Sequence, residues 1–225
     1  MATLAQRTFS GGEITPSLYA RVDVEKYVTG LRTCRNFFVM RHGGATNRPG
    51  TKFIGEVKDS TKSVRLIPFI FNNDQTYILE FGDQYIRFIR NDAYLSDSSA
   101  TITGITQANP GVVTTSGAHG FSNGDEVLIS GVVGMTQVNN RNFKIANVTA
   151  TTFELQDMTS TNFDTSSLTA YSSGGTAERI YEITTPYLEA DLFNLKYVQS
   201  ADVVTIAHPG YAPRELSRTG HTSWP

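Results

Sequence analysis

The chain has 225 residues, a formal net charge of -2, 18% charged residues and 39% hydrophobic residues. This composition is typical of a globular protein with one large domain or two small ones, and it gives no indication of a nucleic-acid-binding protein. Cys34 is the only cysteine, which excludes an intrachain disulfide and favours folding in a reducing cytoplasm. No segment approaches the roughly 20 apolar residues that cross a bilayer, and the N-terminus lacks the apolar core of a signal peptide.

Residues 1–99 contain arginines and apolar runs separated by turns. Asp23 as a cap, followed by apolar residues at spacings of three and four up to Cys34, predicts one helix. Five strands are predicted, at Asn36–Met40, Lys52–Val57, Val64–Phe71, Gln75–Phe81 and Tyr85–Arg90. The short Gly82-Asp83-Gln84 connection predicts that the last two strands form a tight hairpin.

Residues 100–177 differ sharply in composition, with many Thr, Ser, Gly and Asn residues and few charges. Short strands are predicted at Thr101–Thr106, Gly111–Thr115, Glu126–Ser130, Arg141–Val148 and Thr152–Leu155. Strands this short and this closely spaced are typical of a small barrel or sandwich. We therefore interpret residues 100–177 as a separate small β-barrel.

From residue 178 the composition of the first stretch returns. A strand is predicted at Arg179–Thr184, a short helical turn at Glu189–Leu195 and a longer strand at Tyr197–Ala207. This alternation of composition along the chain predicts a mainly β protein with an insertion. Residues 1–99 and 178–225 would form one discontinuous outer domain, and residues 100–177 would be inserted into it. The strands predicted for the outer domain are also compatible with an incomplete propeller. The final turn and a Trp224 expected to be exposed suggest that the chain is a fragment of a longer protein.

Sequence motifs for catalysis and cofactor binding are absent. His42, His119, His208 and His221 are far apart and each lies near glycine or proline, which favours turn positions. There is no His-Glu-x-x-His, Cys-x-x-Cys, Gly-x-Ser-x-Gly or phosphate-loop pattern. We therefore expect a protein that is not an enzyme, with no catalytic residues, no cofactor and no metal, and we interpret Cys34 as a structural thiol on the helix.

Carboxylates provide the main alternatives to this interpretation. The close pairs Asp23/Glu25 and Asp125/Glu126 are candidate calcium ligands, but without EF-hand spacing solvated turn charges are the simpler interpretation. A glycan hydrolase would need two carboxylates held roughly 5 to 10 Å apart. The candidates by residue type are Asp83, Asp125, Glu126 and Glu154.

Basic residues are concentrated in sequence between residues 32 and 52. Arg32, Arg35, Arg41 and Arg48 are candidates to line the passage of a ring-shaped assembly, with Lys52 close by. Surface ion pairing is the alternative, and it is favoured because the net charge is not positive and a passage along which DNA slides should not bind it tightly.

Three segments near the N-terminus resemble a group of tailed-phage proteins. They are Phe9–Asp23, beginning Phe-Ser-Gly-Gly-Glu-Ile-Thr-Pro, then Lys26–Phe37, and then Gly43–Phe53 with its Arg-Pro-Gly-Thr turn. Relatives of the nozzle of short-tailed phages, also called tail tubular protein B, open in a similar way. Segments at Glu189–Leu192, Tyr197–Val203 and His208–Leu216 resemble the same group, whose members run longer than this chain.

The middle stretch is similar to another family. Ala118-His-Gly-Phe-Ser-Asn-Gly-Asp-Glu-Val127, Asn142-Phe-Lys-Ile145 and Thr152-Phe-Glu-Leu155 resemble the small FCCH β-barrel of ubiquitin-activating enzymes, a module that phage tail proteins often carry. The resemblance brings no ubiquitin chemistry, because the chain has neither adenylation residues nor a catalytic-cysteine domain.

These resemblances imply a virion structural protein of the phage tail, assembled in the bacterial host cytoplasm, that helps to form the conduit for DNA ejection. The implied partners are further copies in a six-fold ring, other tail or head-tail connector proteins, and DNA that passes without specific binding. Residues 11–16 are expected to lie extended as an arm, with Phe9, Leu18 and Tyr19 presented to the next copy. The alternative is a receptor- or carbohydrate-binding tail module, in which Tyr171 or Tyr187 contacts a sugar.

Overall fold

The protein is described by a computed structural model that covers residues 6–72 and 75–225, and it divides into two compact units, Met1–Phe53 and Ile54–Pro225. It is mainly β and contains a closed six-stranded barrel, which confirms the fold class predicted from the sequence.

The first unit is built from very short elements. Strand β1 (Gly12–Glu13) pairs in parallel with β2 (Gly30–Leu31), which directly follows helix α1 (Glu25–Thr29). Strands β3 (Phe37–Val39) and β4 (Ala45–Asn47) form a two-stranded hairpin.

The helix predicted to extend from Asp23 to Cys34 is wrong beyond Thr29. Asp23 does not cap it, since both carboxylate oxygens accept hydrogen bonds from Arg21. Gly30 has an extended backbone, and a Cβ there would lie 2.5 Å from the side chain of Ile14. The close approach of β1 therefore favours glycine at residue 30 and an extended chain after it.

The second unit begins with an antiparallel sheet made of β5 (Arg65–Ile70), β6 (Thr76–Gly82), β7 (Tyr85–Arg90) and β8 (Ala93–Tyr94). The predicted hairpin is confirmed, with Ile78 opposite Ile89 and Gly82 opposite Tyr85. The strand predicted at Lys52–Val57 is wrong, because these residues adopt no regular structure. The backbone at Gly55 lies against the ring of Tyr94 instead of beside another strand.

The chain next forms the barrel. Its six strands, in chain order, are β9 (Ser96–Ile105), β10 (Val112–Thr115), β11 (Glu126–Val133), β12 (Arg141–Ala146), β13 (Thr152–Gln156) and β14 (Ser173–Ile180). Antiparallel pairing in the order β10-β13-β12-β11-β14-β9 and back to β10 closes the sheet and leaves no free edge.

Alternation along these strands fills the barrel with apolar side chains. Phe143 and Ile145 of β12, and Phe153 and Leu155 of β13, are buried while their neighbours are not. The turn after β11 requires glycine, since Gly134 has a φ of +89° and a Cβ there would lie 2.2 Å from the carbonyl oxygen of Ala170.

After the barrel the chain returns to the first sheet. Strand β15 (Glu182–Thr184) pairs with β7, so the strand predicted at Arg179–Thr184 is divided between the barrel and this sheet. The predicted helical turn is present as a 3-10 turn at Glu189–Asn194.

A three-stranded sheet of β16 (Lys196–Ser200), β17 (Val203–His208) and β18 (Tyr211–Ser217) follows. The single strand predicted at Tyr197–Ala207 is therefore wrong, because a turn at Ala201, with a φ of 50°, separates β16 from β17. Trp224 is also not exposed as expected. Its ring is 3% accessible and stacks on Phe88 at 4.5 Å within the core shared by the two sheets.

Candidate functional site

The N-terminal unit has almost no interior. Among its described residues, 6–53, only Gly43 is buried, so no apolar side chain there is removed from solvent as in a core. Large apolar side chains are instead exposed, namely Tyr19, Val22, Val28, Phe37, Phe38, Met40 and Phe53. A segment that exposes apolar surface on this scale is typical of an interaction surface.

The β3–β4 hairpin carries the most prominent part of this surface. Phe37 and Phe38 are adjacent on one strand, so their side chains point to opposite faces, and both are at least half exposed. An isolated two-stranded hairpin is marginally stable in water. Both faces of the hairpin are therefore open to contact.

The four arginines proposed to line a passage are all exposed. Arg35 precedes the hairpin, Arg41 lies in its turn and Arg48 directly follows β4, where its backbone N–H donates to the carbonyl of Asn36. The structure thus places three of them around the exposed aromatic hairpin, while Arg32 lies elsewhere in the unit.

Arg32 lies beside Tyr19, one of the three residues proposed for the oligomer interface. The Tyr19 hydroxyl donates to the carbonyl of Arg32 at 3.0 Å, and the Arg32 guanidinium lies 5.5 Å from the ring centroid. Both line a groove of about 460 Å³ together with Ile14 and Tyr27. Phe9 and Leu18 are half-buried and do not line it.

Charge differs strongly between the two units. Residues 6–53 contain eight basic and three acidic side chains, whereas residues 54–225 contain 11 basic and 18 acidic ones. The small net charge of the chain is therefore the sum of a basic N-terminal unit and an acidic remainder.

A buried ion network joins the barrel to the first sheet. Arg87 of β7 has no solvent exposure and its Nη2 lies 2.5 Å from Oε2 of Glu126 on barrel strand β11. Its Nε donates to Glu182 of β15 at 3.2 Å, and Lys58 also pairs with Glu182. The barrel is thus linked to the sheet by the buried pair of Arg87 and Glu126, with Glu182 and Lys58 partly exposed beside it.

The same network includes Glu80, which is buried and accepts hydrogen bonds from the hydroxyls of Tyr85 and Tyr94. Burial raises the pKa of both tyrosines well above the ordinary value, and the Glu80 charge raises it further. Burial also raises the pKa of Glu126, against the opposing effect of Arg87. Arg87 remains charged, because its carboxylate partners outweigh the effect of its own burial and raise its pKa.

The candidate carboxylates of a hydrolase each have a local partner. Asp83 pairs with Lys62, which lowers its pKa, and Asp125 accepts from the backbone of Ser122. Glu126 belongs to the buried network, and Glu154 accepts from Asn147 at 2.7 Å.

Histidine and cysteine positions differ from the sequence interpretation in two cases. His119 is buried against Phe121 and Phe153, so it belongs to the barrel interior and is not an exposed turn residue. Cys34 lies outside the helix, with its backbone N–H bonded to Glu13 and its thiol directed at the carbonyl of Phe37. Among residues 6–72 and 75–225, no group of three or more His, Cys, Asp or Glu side chains is arranged to hold a metal ion.

The tyrosines proposed to contact a sugar have other positions. Tyr187 is 1% exposed, so its interpretation as an exposed platform is wrong. Tyr171 packs on the barrel core and its hydroxyl donates to the carbonyls of Ile102 and Gly174. A cavity of about 470 Å³ does adjoin Tyr187, between edge strands β15 and β18, with Arg214 on its wall.

Comparison with known families identifies the barrel. Residues 108–180 match the model of the ubiquitin-activating enzyme E1 FCCH domain, and these residues contain five of the six barrel strands. No curated protein matches the chain at a significant level. No helix in the described part of the chain has the length and apolar character of a membrane span.

The sequence did not predict the buried ion network around Arg87. It also did not predict the cluster that Arg90, Arg218 and His221 form at one end of the first sheet. Arg87 lies in Tyr-Ile-Arg-Phe-Ile-Arg, where a charged residue sits between apolar neighbours of a buried strand. That placement is the one available signal, and it does not reveal which carboxylate the arginine meets.

Proposed function

We propose that this chain is a structural protein of a bacteriophage tail, of the nozzle or tail-tube-associated kind, whose copies form a ring around the conduit for DNA. The observation that carries the proposal is the N-terminal unit, which exposes aromatic side chains and whose described residues, 6–53, form no apolar core. Such a unit acquires buried surface by packing on another chain.

The partner for that surface is a second copy. A basic N-terminal unit and an acidic remainder attract each other between copies, and a contact between two different surfaces repeats around an axis until it closes into a ring. The resemblance to nozzle proteins implies a six-fold ring that contacts other tail or connector proteins within the virion.

The remaining features agree with a structural role. The FCCH-like barrel has its own packed core and a buried ionic attachment, which suit a rigid module of an assembly. The exposed arginines near the hairpin supply positive charge at which DNA can pass without sequence-specific contacts.

Native mass measurement combined with negative-stain images tests the proposal. We expect closed rings near six times the chain mass of 24.7 kDa, and we expect added salt to dissociate them because the attraction is partly ionic. Phe38→Ser should reduce ring formation by at least about tenfold, since it removes an aromatic contact from the centre of the exposed hairpin.

Phe193→Ser is the matched control, because Phe193 is also more than half exposed but lies in the acidic unit. Rings that tolerate Phe38→Ser and fail with Phe193→Ser would place the interface elsewhere. A chain that stays monomeric at every concentration and binds glycans would contradict the proposal and support the receptor-binding alternative.

A further inference from the structure

Two arginines and a histidine lie together at one end of the first sheet, in the acidic unit. Arg90 ends β7, Arg218 directly follows β18 and His221 lies in the turn after it. They converge on Tyr77, whose hydroxyl lies 2.6 Å from Nδ1 of His221 and accepts from Nε of Arg218 at 3.0 Å.

The two guanidinium groups share one aromatic ring. Arg90 lies 5.7 Å and Arg218 5.4 Å from the ring centroid of Tyr77, and Arg218 also lies 4.1 Å from the centroid of Phe71. Cation–π contacts hold the side chains in place, but they do not cancel the repulsion between two like charges.

No carboxylate in residues 6–72 and 75–225 pairs with either arginine. Within the described residues, Arg218 donates to the neutral groups of Tyr77 and Gln75, and Arg90 contacts the imidazole of His221 and the ring of Tyr77. The Nε of Arg90 is buried and has no hydrogen-bond partner there. Since each guanidinium offers five N–H donors, most donors of this cluster have no partner in that part of the chain.

The contacts with Arg90 favour a neutral His221. Nη1 of Arg90 lies 3.2 Å from Nε2 and 3.5 Å from Nδ1 of the imidazole, and a guanidinium nitrogen can only donate, so the imidazole nitrogen that it contacts carries no proton. Burial, Arg90 and Arg218 all lower the pKa of His221, which agrees with a neutral imidazole beside two cations.

We propose that Arg90, Arg218 and His221 form a binding site for a phosphate group, either as free phosphate or as a backbone phosphate of a nucleic acid. The three side chains come from two segments, the end of β7 and the turn after β18, and together they offer more nitrogen donors than the two oxygens of a carboxylate would use, which suits the several oxygens of a phosphate. When phosphate binds, His221 takes up a proton from solvent, and the imidazolium then donates an N–H to the anion.

The direct test is the pKa of His221, followed by NMR on the whole chain and assigned with His221→Asn. Excess inorganic phosphate at constant ionic strength should raise this pKa by about one pH unit, because the anion offsets the two arginine charges. Acetate at the same ionic strength is the comparison. An unchanged pKa in phosphate, or an equal rise in acetate, would overturn the assignment.

Variants locate the site. Arg90→Gln and Arg218→Gln should each weaken phosphate affinity about tenfold. Arg141→Gln is the matched control, because Arg141 also stacks on an aromatic ring and pairs with no carboxylate in residues 6–72 and 75–225, but belongs to a different surface. This variant should change affinity less than about twofold. Equal losses in all three variants would mean nonspecific attraction and would overturn the site.

A thymidine dodecamer distinguishes the two sources of phosphate. If the dodecamer displaces inorganic phosphate and its affinity falls steeply with salt, the site serves nucleic acid. If inorganic phosphate binds and the dodecamer does not compete, the site serves a free anion. Because the test reads one site on one chain, its failure leaves the proposed ring untouched, and failure of the ring leaves this site testable.

Discussion

The barrel and the N-terminal unit are both β structures with glycine-rich turns, yet they bury apolar surface very differently. The barrel closes six strands around fully buried residues such as Val127, Phe143 and Phe153. In the N-terminal unit the strands are two or three residues long, and aromatic side chains such as Phe38 remain exposed. Similar residue types thus give a barrel with its own packed core in one region and an exposed apolar surface in the other.

The difference separates stability from interaction. Burial of apolar area is the main stabilising contribution to folding, so most of the free energy of unfolding must come from residues 54–225. The N-terminal unit contributes little until its exposed side chains are covered. Substitutions in the barrel should therefore change the free energy of unfolding, whereas substitutions in the N-terminal unit should change the proposed ring formation.

The largest contrast is expected from removing one phenylalanine in each region. Phe153→Ala leaves a cavity in the barrel and should lower the free energy of unfolding by about 3–5 kcal/mol in urea titrations. Phe38→Ala should change it by less than about 0.5 kcal/mol, because the side chain is 54% exposed. Comparable losses of unfolding free energy in both variants would contradict this difference between the two regions.

The attachment of the barrel to the sheet gives the next effect. Arg87→Met leaves Glu80, Glu126 and Glu182 without their buried cation and should cost about 3–5 kcal/mol of unfolding free energy. Glu126→Gln should cost less, about 1–2 kcal/mol, because burial already disfavours its charged form.

A double-mutant cycle on Arg87 and Glu126 sharpens this result. The double variant should lose less unfolding free energy than the sum of the two single variants, because Nη2 of Arg87 lies 2.5 Å from Oε2 of Glu126. Additive costs would mean that the pair does not fix the barrel to the sheet.

Backbone geometry in the barrel gives a smaller effect. Gly134→Ala should lower the free energy of unfolding by about 1–3 kcal/mol, because a Cβ at this positive φ would clash with the carbonyl oxygen of Ala170. Gly117→Ala is the control, since nothing lies within 4 Å of its added Cβ, and its thermal midpoint should match that of the parent. A neutral Gly134→Ala would show that the turn is less constrained than the barrel core.

The smallest effect concerns pH. The folded-state pKa of His221 lies below 6.5, so as pH falls through that value the unfolded chain takes up the proton first and stability declines. His221→Asn should remove this part of the decline between pH 7.5 and 5.5, measured as the urea midpoint. An identical pH dependence in both proteins would show that His221 titrates alike when folded and unfolded.

Sequence patterns predicted the elements whose apolar residues alternate with period two. The hairpin of β6 and β7 and the strands of the barrel follow such patterns, because one face of each strand must be buried. The match of residues 108–180 to the E1 FCCH domain confirms the resemblance noted for the barrel.

Predictions failed where a distant contact decides the local structure. Helical spacing continues past Gly30, but the approach of Ile14 makes the chain extended there. Trp224 is buried because Phe69, Tyr77 and Phe88 surround it, and Arg87 meets Glu126 from 39 residues away. Spacing along a sequence carries no information about such pairs, so the candidate site was only partly predictable.

Hydrogen exchange as a function of protein concentration tests the central claim most directly. In dilute monomer, the amides of residues 6–53 should exchange rapidly while those of the barrel strands stay protected. At concentrations that give rings, the amides around Phe37 and Phe38 should become protected, and those of the barrel should not change. Equal protection of both regions in the monomer would contradict the claim that the N-terminal unit depends on a second copy.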